Sequence, residues 1–122
     1  MAAHEERVAR NEALFREFNE RVEGVAEAFD VRGEGDSLRI EFVCECGNLD
    51  CLERIELTRA GYERVRSDPR RFVVVPGHED PEVARVVARQ EGYVVVEKMH
   101  EAAKVAIEHD PRSKKPARRP GG

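Results

Sequence analysis

Tryptophan is absent, and aromatic residues together make up 6% of the chain. So few flat side chains argue against a surface built to stack single-stranded bases. No run of about 18 apolar residues occurs, so no membrane-spanning helix is expected. The opening stretch MAAHEERVARNE is charged from residue 4 onward and lacks the apolar segment of a secretory signal, which points to a cytoplasmic protein. The Walker loop, the G-x-G-x-x-G fingerprint, the G-x-S-x-G elbow and the H-E-x-x-H helix are all missing, and the expectation is a protein that is not an enzyme. Cysteine is scarce as well, with three in 122 residues. All three lie between positions 44 and 51, and an odd number leaves no complete disulfide framework. In a reducing compartment, thiols gathered in this way indicate a metal or redox centre.

Charge is what the chain has in plenty. Charged residues are 38% of it and apolar ones 40%, the composition of a single modest core under a heavily solvated surface. A domain of this size gains much from a metal clip, because its surface-to-volume ratio limits what apolar burial supplies. The last eleven residues hold five of the 21 basic side chains (Arg112, Lys114, Lys115, Arg118 and Arg119) and none of the 25 acidic ones. Residues 1–111 therefore carry 16 basic against 25 acidic groups, a net −9. The expected organisation is one domain over 1–111 with a disordered basic tail over 112–122.

Periodicity predicts an α+β fold: a small mixed sheet of about four strands, one long N-terminal helix and short helices. Residues 4–29 read as an amphipathic helix with Val8, Leu14, Phe15, Phe18, Val22, Val25, Ala26 and Phe29 on its inner face. From Leu38 the period becomes two, and Leu38–Val43 and Arg54–Leu57 read as paired strands of a hairpin whose tip bears the cysteines. Thr58 is a plausible cap for a short helix ending at Asp68-Pro69. Phe72–Val75 and Tyr93–Val96 read as strands apolar on both faces. Asp80-Pro81 and Gly92 have the look of helix start and stop signals, predicting a helix between them with Val83, Val86 and Val87 buried. A last short helix follows through Ala102, Val105 and Ala106.

The cysteines are spaced C-x-C-x4-C, with Gly47 after the second. Thiolates two apart in a tight turn can face one centre, and glycine lets the backbone curl round it. Asn48 and Asp50 are turn formers that bring Cys51 back. Three convergent thiolates lack one ligand of a tetrahedral zinc site, and histidine supplies it readily. His78, on a turn between a strand and the next element, is the expected fourth ligand, and His100 is the runner-up in a similar setting. His4 and His109 lie toward the chain ends. Glu45, Asp50 and Glu79 are the acids near enough to matter if the metal were catalytic.

The octet CECGNLDC resembles the C-x-C-G-x3-C knuckle of the post-SET segment in SET-domain lysine methyltransferases. That resemblance implies three cysteines on zinc with a fourth ligand from elsewhere; it covers eight residues and carries no SET-domain motif. Over residues 11–111, through NEALFREFNERVE, FVCECGNLDCLERIELT, YERVRSDPRRFVVVPGHEDPE and YVVVEK, the chain also resembles a group of small uncharacterised actinomycete-type bacterial proteins. That likeness implies a bacterial cytosolic setting and places His78 in a shared segment.

The reading of these residues is a structural zinc site formed by Cys44, Cys46, Cys51 and His78 in a non-catalytic interaction or regulatory module with a protein partner. Three alternatives stand beside it. An iron–sulfur cluster is one, and it fits less well because the histidine lies far from the cysteines. A redox-sensing zinc thiolate switch is the second. The third is a nucleic-acid- or ribosome-associated protein that uses the basic tail together with Arg64, Arg66, Arg70 and Arg71.

Overall fold

The computed structural model describes residues 3–114. Helix α1 (Ala3–Ala28) is followed by a 3-10 turn (Gly35–Ser37) and the strands β1 (Arg39–Val43) and β2 (Arg54–Thr58). Helix α2 (Arg59–Arg66) leads to β3 (Arg71–Val74), β4 (Ala84–Gln90) and β5 (Tyr93–Lys98). Helices α3 (His100–Glu108) and α4 (Pro111–Lys114) close the described chain. The fold is α+β.

The first hairpin forms as the alternation of its side chains dictates. Ile40 faces Leu57 and Phe42 faces Ile55 across an antiparallel ladder, all four buried, while Arg39, Glu41, Glu56 and Arg54 point to solvent. Thr58 ends the strand and begins α2, its hydroxyl accepting the Gly61 N–H at 3.0 Å. Tyr62 from that helix stacks on Phe42 with ring centroids 4.3 Å apart. β3 and β5 lie antiparallel with Phe72 opposite Val96 and Val74 opposite Val94, and both are buried through their valine runs. These apolar runs form one core with the hairpin.

Two elements differ from the sequence expectation. The strands number five among the described residues, in two antiparallel sheets, β1-β2 and β3-β5-β4, rather than about four in one mixed sheet. The segment after Pro81 is strand β4, not a helix. It pairs with β5 through a tight turn at Glu91-Gly92, with Gln90 opposite Tyr93 and Gly92 at φ +88°. A bulge between Val86 and Ala88 inserts a residue into the ladder, which breaks the two-residue alternation and leaves valines at a spacing that mimics a helix face. Two β-branched valines, Val86 and Val87, ahead of a glycine turn favour the strand once β5 is there to pair with it.

Helix α1 is present as expected, and Val22 and Ala26 of its predicted inner face pack against the core, but the other half of that face lies outward and polar groups take its place. Leu14, Phe18, Val25 and Phe29 are between 51% and 75% exposed, whereas Glu12, Arg16, Asn19 and Glu23 are at most 5% exposed. The helix lies against β1 and α3 with these polar groups inward. Arg16 donates to the carbonyls of Pro69 (2.5 Å) and Ala106 (2.7 Å), and its guanidinium lies over the Phe72 ring at 4.5 Å. Glu12 pairs with Lys98, and Arg66 with Glu20 and Asp110, each pair out of solvent. Ala9 and Ala13, with Val22 and Ala26, complete the contact face.

Arg112, the first residue of the expected tail, is among the described residues. Arg112 belongs to α4 and is bound to the domain, reaching Glu20 at 2.9 Å and Glu63 at 2.7 Å. A cluster of carboxylates on α1 and α2 draws it in. Lys115, Arg118 and Arg119 lie outside the described residues, as does the side chain of Lys114.

Candidate metal centre

The loop between β1 and β2 is a compact knuckle. Cys44 N–H donates to the Glu53 carbonyl at 3.2 Å, closing its neck, and Cys51 N–H donates to the Asn48 carbonyl at 3.0 Å, closing its tip. Asn48 Oδ1 accepts the Asp50 N–H at 2.9 Å, the Asx turn its residue type favours. Gly47 sits at φ +81° and meets α1 edge-on. A Cβ there would lie 2.7 Å from Glu12 Cγ and 2.9 Å from the Val8 carbonyl oxygen, so only glycine fits between knuckle and helix. Asn11 Nδ2 donates to the Gly47 carbonyl at 3.2 Å across the same contact.

The second half of the centre comes from the turn after β3. Val75 and His78 close it through an N–H to carbonyl bond of 2.9 Å, and Gly77 takes φ +93°. Glu79 accepts the Gly77 N–H at 2.8 Å, which occupies that carboxylate in the turn. The arrangement puts His78 Nδ1 3.6 Å from Cys44 Sγ and 3.6 Å from Cys51 Sγ. The ligand atoms of Cys44, Cys46, Cys51 and His78 all lie within 4.8 Å of one another, a group that could hold one metal ion. The runner-up, His100, stands exposed at the start of α3 with φ +56°, and it has no place in this group. His109 is exposed at the end of α3.

Backbone donors converge on the sulfurs as well. Val75 N–H donates to Cys44 Sγ at 3.2 Å, and the N–H groups of Asn48 and Glu53 point at the sulfurs of Cys46 and Cys51. Such donors favour thiolate over thiol, the form a metal binds. The sulfurs also share protons with one another. The Cys44 thiol is pushed up by the hydrogen bond it gives Cys46 and by burial. That same hydrogen bond, aided by Asn48, His78 and Cys51, brings Cys46 down to about 4. Cys51 is raised, chiefly by burial. Backbone donors on the sulfurs suit a site whose cysteines give up protons when a cation arrives.

Glu45 was an acid within reach of the metal by sequence, yet it turns away from the sulfurs. It is 1% exposed, with Oε2 accepting Asn19 Nδ2 at 2.8 Å and Oε1 accepting the Val73 N–H at 3.0 Å. Its backbone N–H donates to the Val73 carbonyl at 2.9 Å, extending the β3 edge into the knuckle. Burial pushes its carboxyl up to about 7 against the pull of Asn19 and Val73. Asp50 is exposed at the knuckle tip. Asn19 and Arg16, the helix residues that hold this interior, have no signal in the sequence beyond being polar at helical positions three and four apart.

The arginines considered for nucleic acid are mostly engaged. Arg66 is buried on Glu20 and Asp110, Arg70 pairs with Asp68 at 2.8 Å, and Arg71 reaches Glu97 at 3.1 Å. Arg64 is exposed. Among the described residues, no helix is long and apolar enough to cross a membrane. No protein-family model matches the chain, and neither a curated protein nor a solved structure matches it.

Proposed function

We propose that the protein binds one zinc ion through Cys44, Cys46, Cys51 and His78 Nδ1, as a structural clip in a non-catalytic interaction or regulatory module. The observation that carries this reading is the convergence of four ligand atoms within 4.8 Å. A tetrahedral zinc with sulfur at about 2.3 Å and nitrogen at about 2.0 Å separates the two ligand atoms by about 3.6 Å. His78 Nδ1 keeps that separation from two of the sulfurs. Soft thiolates with one imidazole suit zinc over the oxygen-seeking cations.

Four protein ligands close the coordination sphere and leave no position for substrate, and three thiolates blunt the acidity of the metal. The nearby carboxylates are committed elsewhere, Glu45 to Asn19 and Val73, and Glu79 to Gly77. The clip's work is mechanical. It ties the tip of the first hairpin to the turn after β3, joining the two sheets at their shared end.

Metal content of the purified chain, measured by mass spectrometry beside His78→Ala and His100→Ala, tests the reading. One zinc per chain is expected, weakened in the first variant and intact in the second. Iron with visible absorption would replace this reading with an iron–sulfur centre. Absence of metal after reducing purification would end it.

A further inference from the structure

A groove of about 190 Å³ opens between α2 and the end of the β4–β5 hairpin. Val65, Val87, Ala88 and Val95 form its floor, Tyr93 stands at one end, and Arg64 and Arg71 line its side. No acidic residue lines it, in a body whose net charge over residues 1–111 is −9.

The basic character extends beyond the lining. Arg70, Arg71 and Arg85 all converge on the single carboxylate of Glu97, at 3.5, 3.1 and 3.3 Å. One carboxylate cannot balance three guanidinium groups, and Asp68 is the other acid among them, pairing with Arg70 and Arg71. Arg64 has no ion pair among the described residues and is exposed. A local positive surplus has thus been built beside an apolar floor. Strand β4, which contributes Val87 and Ala88 to the groove, pairs on one side only, with β5.

We propose that this groove binds an extended acidic segment of a partner protein. One apolar side chain of the segment rests on Val65, Val87 and Val95, and flanking carboxylates meet Arg64, Arg71 and Arg85. Guanidinium groups recognise carboxylates in paired geometry, and Arg71 and Arg85 already hold one such group between them. An apolar anchor with a charged rim is how short extended segments gain both affinity and direction. The proposal rests on the reading of this protein as an interaction module and names the chemistry of its partner.

The test uses the full, metal-loaded chain and a short fluorescein-labelled peptide of alternating glutamate and leucine, followed by fluorescence anisotropy. Saturable binding that weakens with added salt is expected. Arg64→Glu should weaken it by about tenfold or more. Val87→Asp, which puts a like charge on the groove floor, should do the same. Metal content and circular dichroism of both variants should match the parent, which shows that the fold survives the changes. Three results would overturn the proposal: no binding up to the solubility of the peptide, unchanged binding in both variants, or tighter binding of a labelled oligouridylate of equal length. Because metal is measured on the same samples, failure of the peptide on a zinc-loaded chain leaves the clip standing. Absence of zinc would strike the clip and not the groove.

Discussion

Asn19 and Glu45 meet in a 2.8 Å hydrogen bond that joins the middle of the long helix to the residue between two metal-ligand candidates. Asn19 also binds both backbone groups of Val43, donating to its carbonyl at 2.9 Å and accepting its N–H at 3.0 Å. Glu45 in turn accepts the Val73 N–H. Three elements therefore grip the Cys44–Cys46 segment from the side away from the sulfurs, so the knuckle is held in shape from within.

Glu45→Ala should destabilise the zinc-loaded protein while leaving zinc content near one per chain. It strands one N–H of the Asn19 amide and the Val73 N–H in the interior, at about 1–3 kcal/mol for each unsatisfied group. Urea denaturation monitored by circular dichroism measures this, and a midpoint equal to the parent's would contradict the assigned role. Glu45→Gln keeps an acceptor and should cost less.

Gly47→Ala and Gly24→Ala should move stability in opposite directions. The first puts a Cβ 2.7 Å from Glu12 Cγ at a backbone φ of +81°, and the left-handed conformation alone costs about 1–2 kcal/mol. Helix α1 must retreat from the knuckle, and zinc affinity should drop by about tenfold or more in competition with a chromophoric chelator. The second adds a methyl group where nothing lies within 4 Å, inside a helix, and should stabilise by about 0.5–1 kcal/mol. Thermal melts of the pair give the comparison.

Leu14→Gln and Phe18→Gln should each change stability by no more than about 0.5 kcal/mol, because both side chains are more than half exposed. Arg16→Met should cost several times more. It leaves the carbonyls of Pro69 and Ala106 without their donor, at about 1–3 kcal/mol for each. An ordinary amphipathic helix would give the reverse ranking, so chemical denaturation of the three variants decides which face is inward.

The Glu23–Glu63 pair should make stability fall toward alkaline pH. Burial, and then the proton shared with Glu63, raise Glu23 to about 8 from a usual 4.5. The Arg112 hydrogen bond lowers Glu63 to about 2. Between 4.5 and about 8 the folded chain keeps a Glu23 proton that the unfolded chain has released, so stability declines as pH rises through that window. Below 4.5 Glu63 works the other way, and its contribution is lost as pH falls toward 2. Glu23→Gln removes the alkaline decline. The melting temperature of the variant relative to the parent should therefore climb from about pH 5 to about pH 9, and a constant difference would refute the assignment.

How legible this molecule is in its sequence depends on whether a signal is local. Thr58 as a cap, the alternation of Ile40, Phe42, Ile55 and Leu57, and the valine runs of β3 and β5 each depend on near neighbours, and each is where periodicity puts it. The knuckle spacing is local too, whereas His78 and His100 have similar settings in the sequence and only the folded chain brings His78 to the cysteines. β4 is different, because its state is decided by β5 and its bulge erases the alternation that marks a strand. The inner face of α1 is hidden for a similar reason. Its charges are met by Lys98, Arg66, Arg112 and carbonyls far along the chain, so composition alone assigns Phe18 and Leu14 to the core. Glu45 reads as a solvated acid for want of any sign that Asn19 would meet it.

The partners of the buried charges Glu12 and Arg16 on helix α1 are made late. Arg16 waits for Pro69 and Ala106, 53 and 90 residues later, and Glu12 waits 86 residues for Lys98. Ribosomes deliver about 5–20 residues each second, so the first helix to emerge spends several seconds with its charged face unmatched. Contacts so distant along the chain also slow the search for the native arrangement. The hairpin can close early and take up its Asn19 contacts at Val43 and Glu45, and the Glu12 and Arg16 contacts to the C-terminal half then follow. A nascent chain halted before Ala106 would hold its Asn19 contacts to the knuckle while Arg16 still lacked one of its two acceptors, the kind of intermediate on which chaperones and proteases act.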